Sequence, residues 1–261
     1  MTLAHARIAQ QLQTARYGRS LRVLDVTGST NDDARADATL GADDGHVVVA
    51  DRQSTGRGSQ GRQWESPGGQ DLYVSIVARP AVSMATLPTL TLAIGLGVAG
   101  AVDELLGAAR SSVKWPNDVW VDRKKISGVL VEATTVGGQT SAIVIGIGLN
   151  VNRTDFDAEL APNATSLRLA SDPSVELAAE IDREHALCTL LAHVERMVDR
   201  WAIEGPAAIV PAVEARLALR GEPVTHDGSP ATLLGLSPSG ALRLQTEAGA
   251  VERVSGRLLP A

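Results

Sequence analysis

The residue types best suited to chemistry are concentrated in the glycine-rich segment GRGSQGRQW, residues 56–64. Its glycines at 56, 58 and 61 match the dinucleotide fingerprint G-x-G-x-x-G and also the glycine spacing of a phosphate-binding P-loop. The residues that follow favour neither motif. RQWESPGGQ does not predict a helix after the third glycine, and Arg62 and Gln63 stand where a P-loop carries Lys and Ser or Thr. The glycine spacing alone therefore identifies no nucleotide motif.

The segment does support an anion site on chemical grounds. Gly56 and Gly58 let backbone N–H groups approach a ligand closely. Arg57 and Arg62 supply planar, permanently charged donors for phosphate or carboxylate. Trp64 offers a flat face for a base or a fused ring. A solvated surface loop is the alternative that this segment, taken by itself, leaves open.

Two further segments carry polar residues at the ends of apolar runs. In KWPND, residues 114–118, a proline-fixed turn over a packed Trp115 explains the first residues, but not Asn117 and Asp118. A carboxylate beside an amide is what a magnesium–triphosphate site uses, because Mg²⁺ prefers oxygen ligands. In GIGLNVN, Asn150 either ends a buried strand or points into a site.

The basic run at residues 123–125 is either a solvated hairpin tip or the start of a functional strand. Lys125 opens the strand KISGVLVEA, so its side chain has a rigid base, and Gly128 would let a ligand come close. The segment GSTN either caps a helix or hydrogen-bonds a neutral polar group, through Ser29, Thr30 and Asn31.

Composition narrows the function classes. The chain has 261 residues, of which 44% are hydrophobic, so it is not mostly disordered. Its net charge of −6 disfavours a nucleic-acid partner, whereas three arginines and no acid at residues 52–63 favour a small anionic ligand. The single cysteine, Cys188, excludes an internal disulfide. The five histidines have no metal-ligand spacing, and no Ser/His/Asp or Cys/His arrangement is evident, so the chemistry is expected to depend on positive charge, metal and positioning.

Residues 80–102 are free of charge and long enough to cross a bilayer. Pro88, three threonines and the glycines at 95, 97 and 100 favour a buried, closely packed helix instead. The N-terminus has no signal-peptide pattern. We therefore expect a cytoplasmic protein that does not associate with membranes.

Periodicity predicts a mixture of helices and antiparallel hairpins, which is an α+β fold rather than an alternating doubly wound one. The predicted helices are residues 3–17, 29–40, 86–106 and 182–203. The predicted strands are residues 21–26, 46–50, 71–78, 112–114, 119–121, 126–135 and 141–151, with a glycine turn at 137–138 between the last two. After about residue 219, short strands at 223–225, 231–236, 241–245 and 251–255 alternate with turns. This pattern predicts a main domain at 1–218 and a small β-barrel domain at 219–261.

Taken together and in this order, the segments resemble the biotin protein ligases. The matching features are STN, then Q-x-x-GRGxxGRxW, KWPND, KISGVLVE, GIGxNVN and a small β domain, over about residues 21 to 255. The resemblance implies a class II synthetase-like core, with a mixed, largely antiparallel sheet flanked by helices, and an SH3-like C-terminal barrel. It also implies the reaction: biotin and MgATP form biotinyl-5′-AMP, and biotin passes to a lysine of a biotin carboxyl carrier domain of acetyl-CoA carboxylase or a related carboxylase.

The resemblance also assigns residue roles. Lys125 and Arg57 would be catalytic, and Asp118 would bind Mg²⁺. The biotin-binding residues would be Ser29, Thr30, Asn31, Gln53, Gly56, Arg57, Gly58, Ser59, Lys125 and Gly128. The residues for ATP and the adenylate would be Arg62, Trp64, Asn117, Lys125 and Asn150.

Two departures from the family pattern have consequences. Ser59 stands where many members carry arginine, so we expect weaker retention of the adenylate. Only about 20 residues precede the first predicted strand, too few for a helix-turn-helix domain, so operator binding is not expected. As a separate expectation, the protein would be a monomer or a weak homodimer. The rival enzyme is a lipoate or octanoate ligase or transferase with a related core. The rival of another class is a nucleic-acid-binding module that uses the Arg/Gly loop and the C-terminal barrel.

Overall fold

Two β-sheets organise the chain. The computed structural model describes residues 3–79, 86–136, 139–171 and 179–261. The larger sheet contains β1 (Leu21–Thr27), β2 (Val47–Gln53), β3 (Leu72–Ala78), β4 (Ser111–Lys114), β5 (Asp118–Val121), β6 (Lys124–Val136) and β7 (Gln139–Leu149). Its strand order is β1-β2-β3-β7-β6-β5-β4. Only β1 and β2 pair in parallel, and the five other neighbouring pairs are antiparallel. The predicted mixed, largely antiparallel sheet is confirmed.

Helices cover both faces of this sheet. The helices are α1 (His5–Gln11), α2 (Thr30–Thr39), α3 (Leu87–Leu106), α4 (Leu167–Ala170), α5 (Arg183–Glu204) and α6 (Pro206–Ala215). Alternate residues of β2 face opposite sides: Val47 and Val49 join the main core with α3, whereas Val48 joins a smaller cluster with Ala34 and Ala38 of α2. The face on which α2 lies is also the face that carries the site.

Helix α3 lies at the centre of the main core. By length and composition it could cross a membrane, but eleven of its residues are buried and it packs against α5 and α6. Gly97 lies so close to Val194 that a Cβ would be 3.0 Å from the backbone of that residue. The predicted buried helix is therefore confirmed from residue 86 onward. Residues 80–85 of the uncharged stretch lie outside the described residues.

The C-terminal residues form a second, antiparallel sheet. It comprises β8 (Pro223–His226), β9 (Ser229–Leu236), β10 (Leu242–Thr246), β11 (Gly249–Arg253) and β12 (Leu258–Pro260), in the order β11-β10-β9-β8-β12. It contacts the main sheet through a hydrogen bond of 3.1 Å from Trp115 Nε1 to the Gly240 carbonyl and an ion pair of 2.8 Å between Arg123 and Glu222.

Most predicted elements are present, with shifted ends. The first helix is shorter than predicted, since it covers His5–Gln11 rather than residues 3–17. Helix α6 was not predicted, because Pro211 in its interior reads as a helix breaker. Strand β12 was also missed, being only three residues long. The predicted turn at 137–138 lies outside the described residues, although β6 and β7 pair on either side of it.

Candidate functional site

One end of the large sheet brings the predicted segments together. Strands β1, β2 and β7 end where β3 and β6 begin. The register shows this, because Thr27 pairs with Gln53, and Leu149 pairs with both Leu72 and Ser127. The polar segments that follow β1, β2 and β7, and the one that opens β6, are therefore neighbours in space. Strand topology alone explains why motifs far apart in the sequence meet here.

A cavity of about 810 Å³ opens at this end, within the size range of small-ligand sites. Of the predicted site residues, those that line it are Ser29, Thr30, Asn31, Gln53, Arg57, Gly58, Ser59, Arg62, Trp64, Asn117, Asp118, Lys125, Gly128 and Asn150. Gly56 is buried behind the lining, where a Cβ would lie 2.5 Å from the Trp64 carbonyl and 2.6 Å from Ser66 Oγ. Its role is to permit close chain packing.

Neutral polar groups form one end of the cavity. Gln53 Oε1 accepts hydrogen bonds from Thr30 N (2.9 Å) and Thr30 Oγ1 (3.1 Å), and Gln53 Nε2 donates to Ser66 Oγ (2.9 Å). Ser75 Oγ lies 2.8 Å from Thr30 Oγ1 and 2.6 Å from Asn31 Oδ1. Thr30 and Asn31 are each only 4% exposed, so these hydrogen bonds hold the polar atoms in defined orientations.

A ring of charged side chains borders this neutral end. Asn31 Nδ2 donates to Glu132 Oε2 at 2.6 Å. Glu132 also pairs with Arg57 (3.2 Å) and Arg35 (3.0 Å), and Arg57 pairs with Asp32 (2.8 Å). The loop arginine is thus paired with carboxylates of α2 and β6.

Trp64 lies flat against the floor of the cavity. A Cβ on Gly148 would collide with its indole ring, and one on Gly128 would lie 3.0 Å from it, so the two glycines create the space that the ring fills. Lys125 Nζ is 5.1 Å from the ring centroid, at cation–π distance. The indole N–H is buried and has no hydrogen-bond partner among the described residues. An aromatic side chain therefore lines the site.

Cations gather at the other end of the cavity around one carboxylate. Lys125 Nζ is 2.7 Å from Asp118 Oδ1, and Lys114 Nζ is 3.7 Å from Asp118 Oδ2. Burial holds the pKa of Lys114 below its usual range; Asp118 opposes this effect, whereas the positive charges of Lys125, Arg62 and Arg257 add to it. Four cations near a single carboxylate leave an excess of positive charge, which suits a polyanionic ligand.

Two buried amides hold the strands near this end. Asn117 Nδ2 donates to the Val129 carbonyl (2.8 Å), and Asn150 Nδ2 donates to the Thr165 carbonyl (2.9 Å). One amide proton of each is thereby committed to the backbone. Any ligand contact would use the amide oxygen or the second proton.

A buried arginine joins the glycine-rich segment to the loop after β7. Arg153 donates to Glu65 (2.7 Å) and to Asp71 (3.1 Å), and its guanidinium lies 4.7 Å from the Phe156 ring centroid. Burial, with the neighbouring Asp157 carboxyl, raises the pKa of Glu65 above its usual range. The position of the segment that carries Trp64 is therefore set by a residue about 90 positions later in the chain.

The donor set does not fit a permanently bound metal. Among the described residues, no group of three or more His, Cys, Asp and Glu side chains is placed to hold an ion. Asp118 is a single carboxylate that forms ion pairs with the ammonium groups of Lys114 and Lys125. It fits Mg²⁺ that arrives on a polyphosphate, because this ion commonly takes one or two protein carboxylates and completes its shell with phosphates and water.

A second set of hydrogen-bonded polar side chains lies away from the cavity. Ser20 Oγ lies 2.7 Å from His46 Nδ1, and His46 Nε2 lies 3.1 Å from Asp37 Oδ2, so a Ser/His/Asp chain does exist. It lies where β1 and β2 begin, at the opposite end of the sheet from the cavity, and Asp37 is also paired with Arg22 at 3.2 Å. Ser20 and His46 directly precede β1 and β2, and Asp37 on α2 is 17 and 9 positions from them, so no local spacing indicated this arrangement.

Several residues of the site were not predicted. Ser75 and Glu132 are polar positions in otherwise apolar strands, and Lys114 belongs to the KWPND segment, so the sequence contained a signal for these three. Arg153 and Arg257 had no such signal, since each reaches the site only through the fold.

Comparisons with known proteins agree with this arrangement. The sequence model of the Biotin/lipoate A/B protein ligase family matches residues 23–150, which include every predicted site residue. The biotin--[acetyl-CoA-carboxylase] ligase of Paracoccus denitrificans is 32% identical over 236 residues, covering 87% of this chain and 95% of that protein. The bifunctional ligase/repressor BirA of Bacillus subtilis is 35% identical over 181 residues, but these are 69% of this chain and 55% of that longer protein, so the chain matches about half its length.

A solved structure of a biotin protein ligase has the same fold as this chain. The biotin protein ligase from Aquifex aeolicus, in complex with biotin and ATP, superposes with a TM-score of 0.80 at 30% identity, covering 92% of this chain and 97% of that one. The α+β fold and the sequence matches thus point to one class, the ligases that attach a cofactor acid to a protein. Within that class, the chain belongs to the biotin protein ligases.

Proposed function

We propose that this protein is an ATP-dependent biotin protein ligase. It forms biotinyl-5′-AMP and pyrophosphate from biotin and MgATP, then transfers the biotinyl group to a lysine of a biotin carboxyl carrier domain. The observation that carries the proposal is the pairing, in one cavity, of a neutral hydrogen-bonding end with a cationic end. The names of the Paracoccus and Aquifex relatives support the same substrates.

The neutral end suits the ureido ring of biotin. In our assignment Ser29, Thr30, Asn31 and Gln53 supply its donors and acceptors. Hydrogen bonds from Thr30 to Gln53 and from Ser75 to Asn31 orient three of these residues before the ligand arrives, which lowers the ordering cost of binding. A linear acyl chain offers no partner to the donors and acceptors that these groups have left over, at a cost of about 1–3 kcal/mol for each one buried without a partner. The same groups therefore disfavour lipoate or octanoate as substrate.

The cationic end suits the reacting groups. A carboxylate oxygen of biotin attacks the α-phosphorus of ATP, a P–O bond forms, and the bond to the departing pyrophosphate breaks. Lys125 stabilises the carboxylate and the α-phosphate, and Arg57 exchanges its carboxylate partners for the ligand. No protein nucleophile is required, because positioning and charge supply the catalysis. In the second step the acceptor ε-amine attacks the acyl carbon, and AMP leaves with the C–O electron pair.

The nucleotide and its metal occupy the remainder of the cavity in this proposal. Trp64 provides the stacking face, while Arg62, Asn117 and Asn150 contact the nucleotide. Gly58, Ser59 and Gly128 line the cavity and leave room for the biotinyl phosphate linkage, and the close packing at Gly56 supports the chain behind them. Asp118 would hold Mg²⁺, whose contribution when bound is to neutralise phosphate charge.

The C-terminal sheet completes the proposal for the architecture. We assign residues 219–261 to an SH3-like β-barrel domain and residues 1–218 to the catalytic domain. The assignment is supported by Ala218 N, which still bonds to Val113 O of the main sheet, whereas Gly221 N bonds to Leu233 O of the small one. A cytoplasmic location and a monomeric or weakly dimeric state stay predictions.

Intact-mass spectrometry of a purified biotin acceptor domain tests the function. The domain is incubated with this protein, MgATP, and either biotin or octanoate. We expect a biotin-sized mass gain that requires ATP. Lys125→Ala should slow it about 100-fold or more, as expected when a group that stabilises transition-state charge is removed. Arg200→Ala, which removes an exposed cation of α5 away from the cavity lining, is the control and should act as the parent does.

Two outcomes would contradict the proposal. A mass gain with octanoate but not with biotin would move the protein to the lipoate-type branch of its family. No gain with either acid, on a sample that unfolds cooperatively, would leave a binding site without the ligation chemistry.

A further inference from the structure

The side chain of Asn31 is enclosed by groups from three different strands. Asn31 Nδ2 donates to Glu132 Oε2 on β6 at 2.6 Å, and Ser75 Oγ on β3 lies 2.6 Å from Asn31 Oδ1. On β7, a Cβ at Gly146 would collide with the same amide. A helix residue is thus seated in a pocket that the sheet provides, and the amide is 4% exposed.

The hydrogen bonds around Asn31 determine the orientation of its side-chain amide. A carboxylate can only accept hydrogen bonds, so the nitrogen of Asn31 must face Glu132 and the oxygen must face Ser75. The reverse orientation would place the amide oxygen against a carboxylate. One N–H and one lone pair of the amide then remain for a ligand, in a defined arrangement.

We propose that Glu132 is a positioning residue for ligand recognition, because it orients the Asn31 amide toward the ureido group of biotin. The inference rests on the proposed function and adds a residue that touches neither substrate. Without the carboxylate, the amide loses a charge-assisted hydrogen bond and can rotate, so part of its population presents the wrong atom to the ligand.

Glu132 has a second set of partners that must be separated from this role. Its carboxylate also pairs with Arg35 at 3.0 Å and Arg57 at 3.2 Å. Arg57 lines the cavity whereas Arg35 does not, and the Arg35 side chain is 38% exposed. Arg35→Ala therefore removes one positively charged partner of Glu132 and leaves the hydrogen bond between Glu132 and Asn31 in place. This variant is the matched control.

The test compares steady-state biotinylation of the acceptor domain by the full chain and its variants. Glu132→Ala should raise the KM for biotin about 10- to 100-fold, the range expected for losing a hydrogen bond to a charged group, with kcat and the KM for ATP within about 3-fold of the parent. Glu132→Gln keeps an acceptor for Asn31 Nδ2 and should restore the KM for biotin to within about 3-fold. Ser75→Ala, which frees the other end of the amide, should also raise the KM for biotin and not that for ATP.

Each contrary result has one meaning. If the parent does not biotinylate the acceptor, the proposed function fails. If the parent is active but Glu132→Ala and Ser75→Ala leave the KM for biotin unchanged, the positioning role alone fails. A rise in the KM for biotin with Arg35→Ala equal to that with Glu132→Ala would also overturn it, since the charge ring rather than the amide seat would then be responsible. Thermal unfolding of Glu132→Gln checks that the fold is retained.

Discussion

Replacing Asp118 by asparagine should destabilise the protein even in the absence of any substrate or metal. Asp118 is 9% exposed in its side chain and stands between Lys114, which is 10% exposed, and Lys125, which is 30% exposed. Asp118→Asn preserves the size of the side chain and removes the charge that compensates both ammonium groups. The variant therefore isolates the electrostatic role of the carboxylate.

The size of the effect follows from the geometry. Two charges 3.7 Å apart attract by about 4.5 kcal/mol at an effective dielectric constant of about 20, and part of this is offset by the cost of removing them from water. Breaking a buried pair costs about 3–5 kcal/mol, and the more exposed pair with Lys125 adds at most about 1 kcal/mol. Since asparagine keeps one acceptor oxygen, we expect a loss of about 2–4 kcal/mol. For a chain of this length that is a fall in Tm of roughly 4 to 16 °C.

The pH dependence of this loss has a definite sign. Burial lowers the pKa of Lys114, and Asp118 is the group that raises it, so the variant lowers that pKa further. Between the folded pKa and the ordinary value of 10.5, the unfolded chain binds more protons than the folded one, and the free energy of unfolding rises with pH. The deficit of Asp118→Asn relative to the parent should therefore be smaller at about pH 9.5 than at about pH 7.

Thermal and urea unfolding without nucleotide or Mg²⁺ measure the effect. The matched control is Asp122→Asn, because the Asp122 side chain is 60% exposed and its one ion-pair partner among the described residues is Arg110. It should change stability by less than about 0.5 kcal/mol. Equal stability of Asp118→Asn and Asp122→Asn would refute the reasoning, and so would a deficit that grows with pH.

Two further substitutions and one labelling experiment test the roles of Ser59, Cys188 and Gly148. Ser59→Arg should slow release of the adenylate by roughly 2- to 5-fold in a rapid-dilution assay, because an exposed cation is added beside Arg62, and an unchanged rate would contradict this. Burial raises the pKa of Cys188 to about 11. A thiol reagent at about pH 8 should therefore label Cys188 in the native protein at less than about a tenth of the rate that it shows in urea. Equal rates would place the thiol at the surface. Gly148→Ala should displace the Trp64 ring and raise the KM for ATP about 10-fold or more while the KM for biotin changes little, and equal effects on both would mean that the ring does not serve the nucleotide.

The fold was predictable where local patterns were strong. Alternation and β-branched runs located the seven strands of the main sheet to within a few residues, and the apolar stripe of α5 located that helix. Prediction failed where a local signal was weak or misleading. Pro211 inside α6 and the three residues of β12 are examples, since tertiary contacts decide both.

The sequence by itself indicated the chemistry of this protein, because its glycine, arginine, lysine, tryptophan and amide side chains suit an anion site beside neutral hydrogen-bonding groups, and the order of its segments resembles one family of ligases. Only the tertiary structure decided which of these groups work together. Glu132 accepts a hydrogen bond from Asn31 across 101 positions of sequence, Arg153 donates to Glu65 across 88, and the positive charge of Arg257 lowers the pKa of Lys114 from the last few residues of the sequence. The physical reason is that periodicity encodes which face of an element is buried, whereas the partners of a buried polar group depend on strand order and register, which are set by the packing of the whole chain.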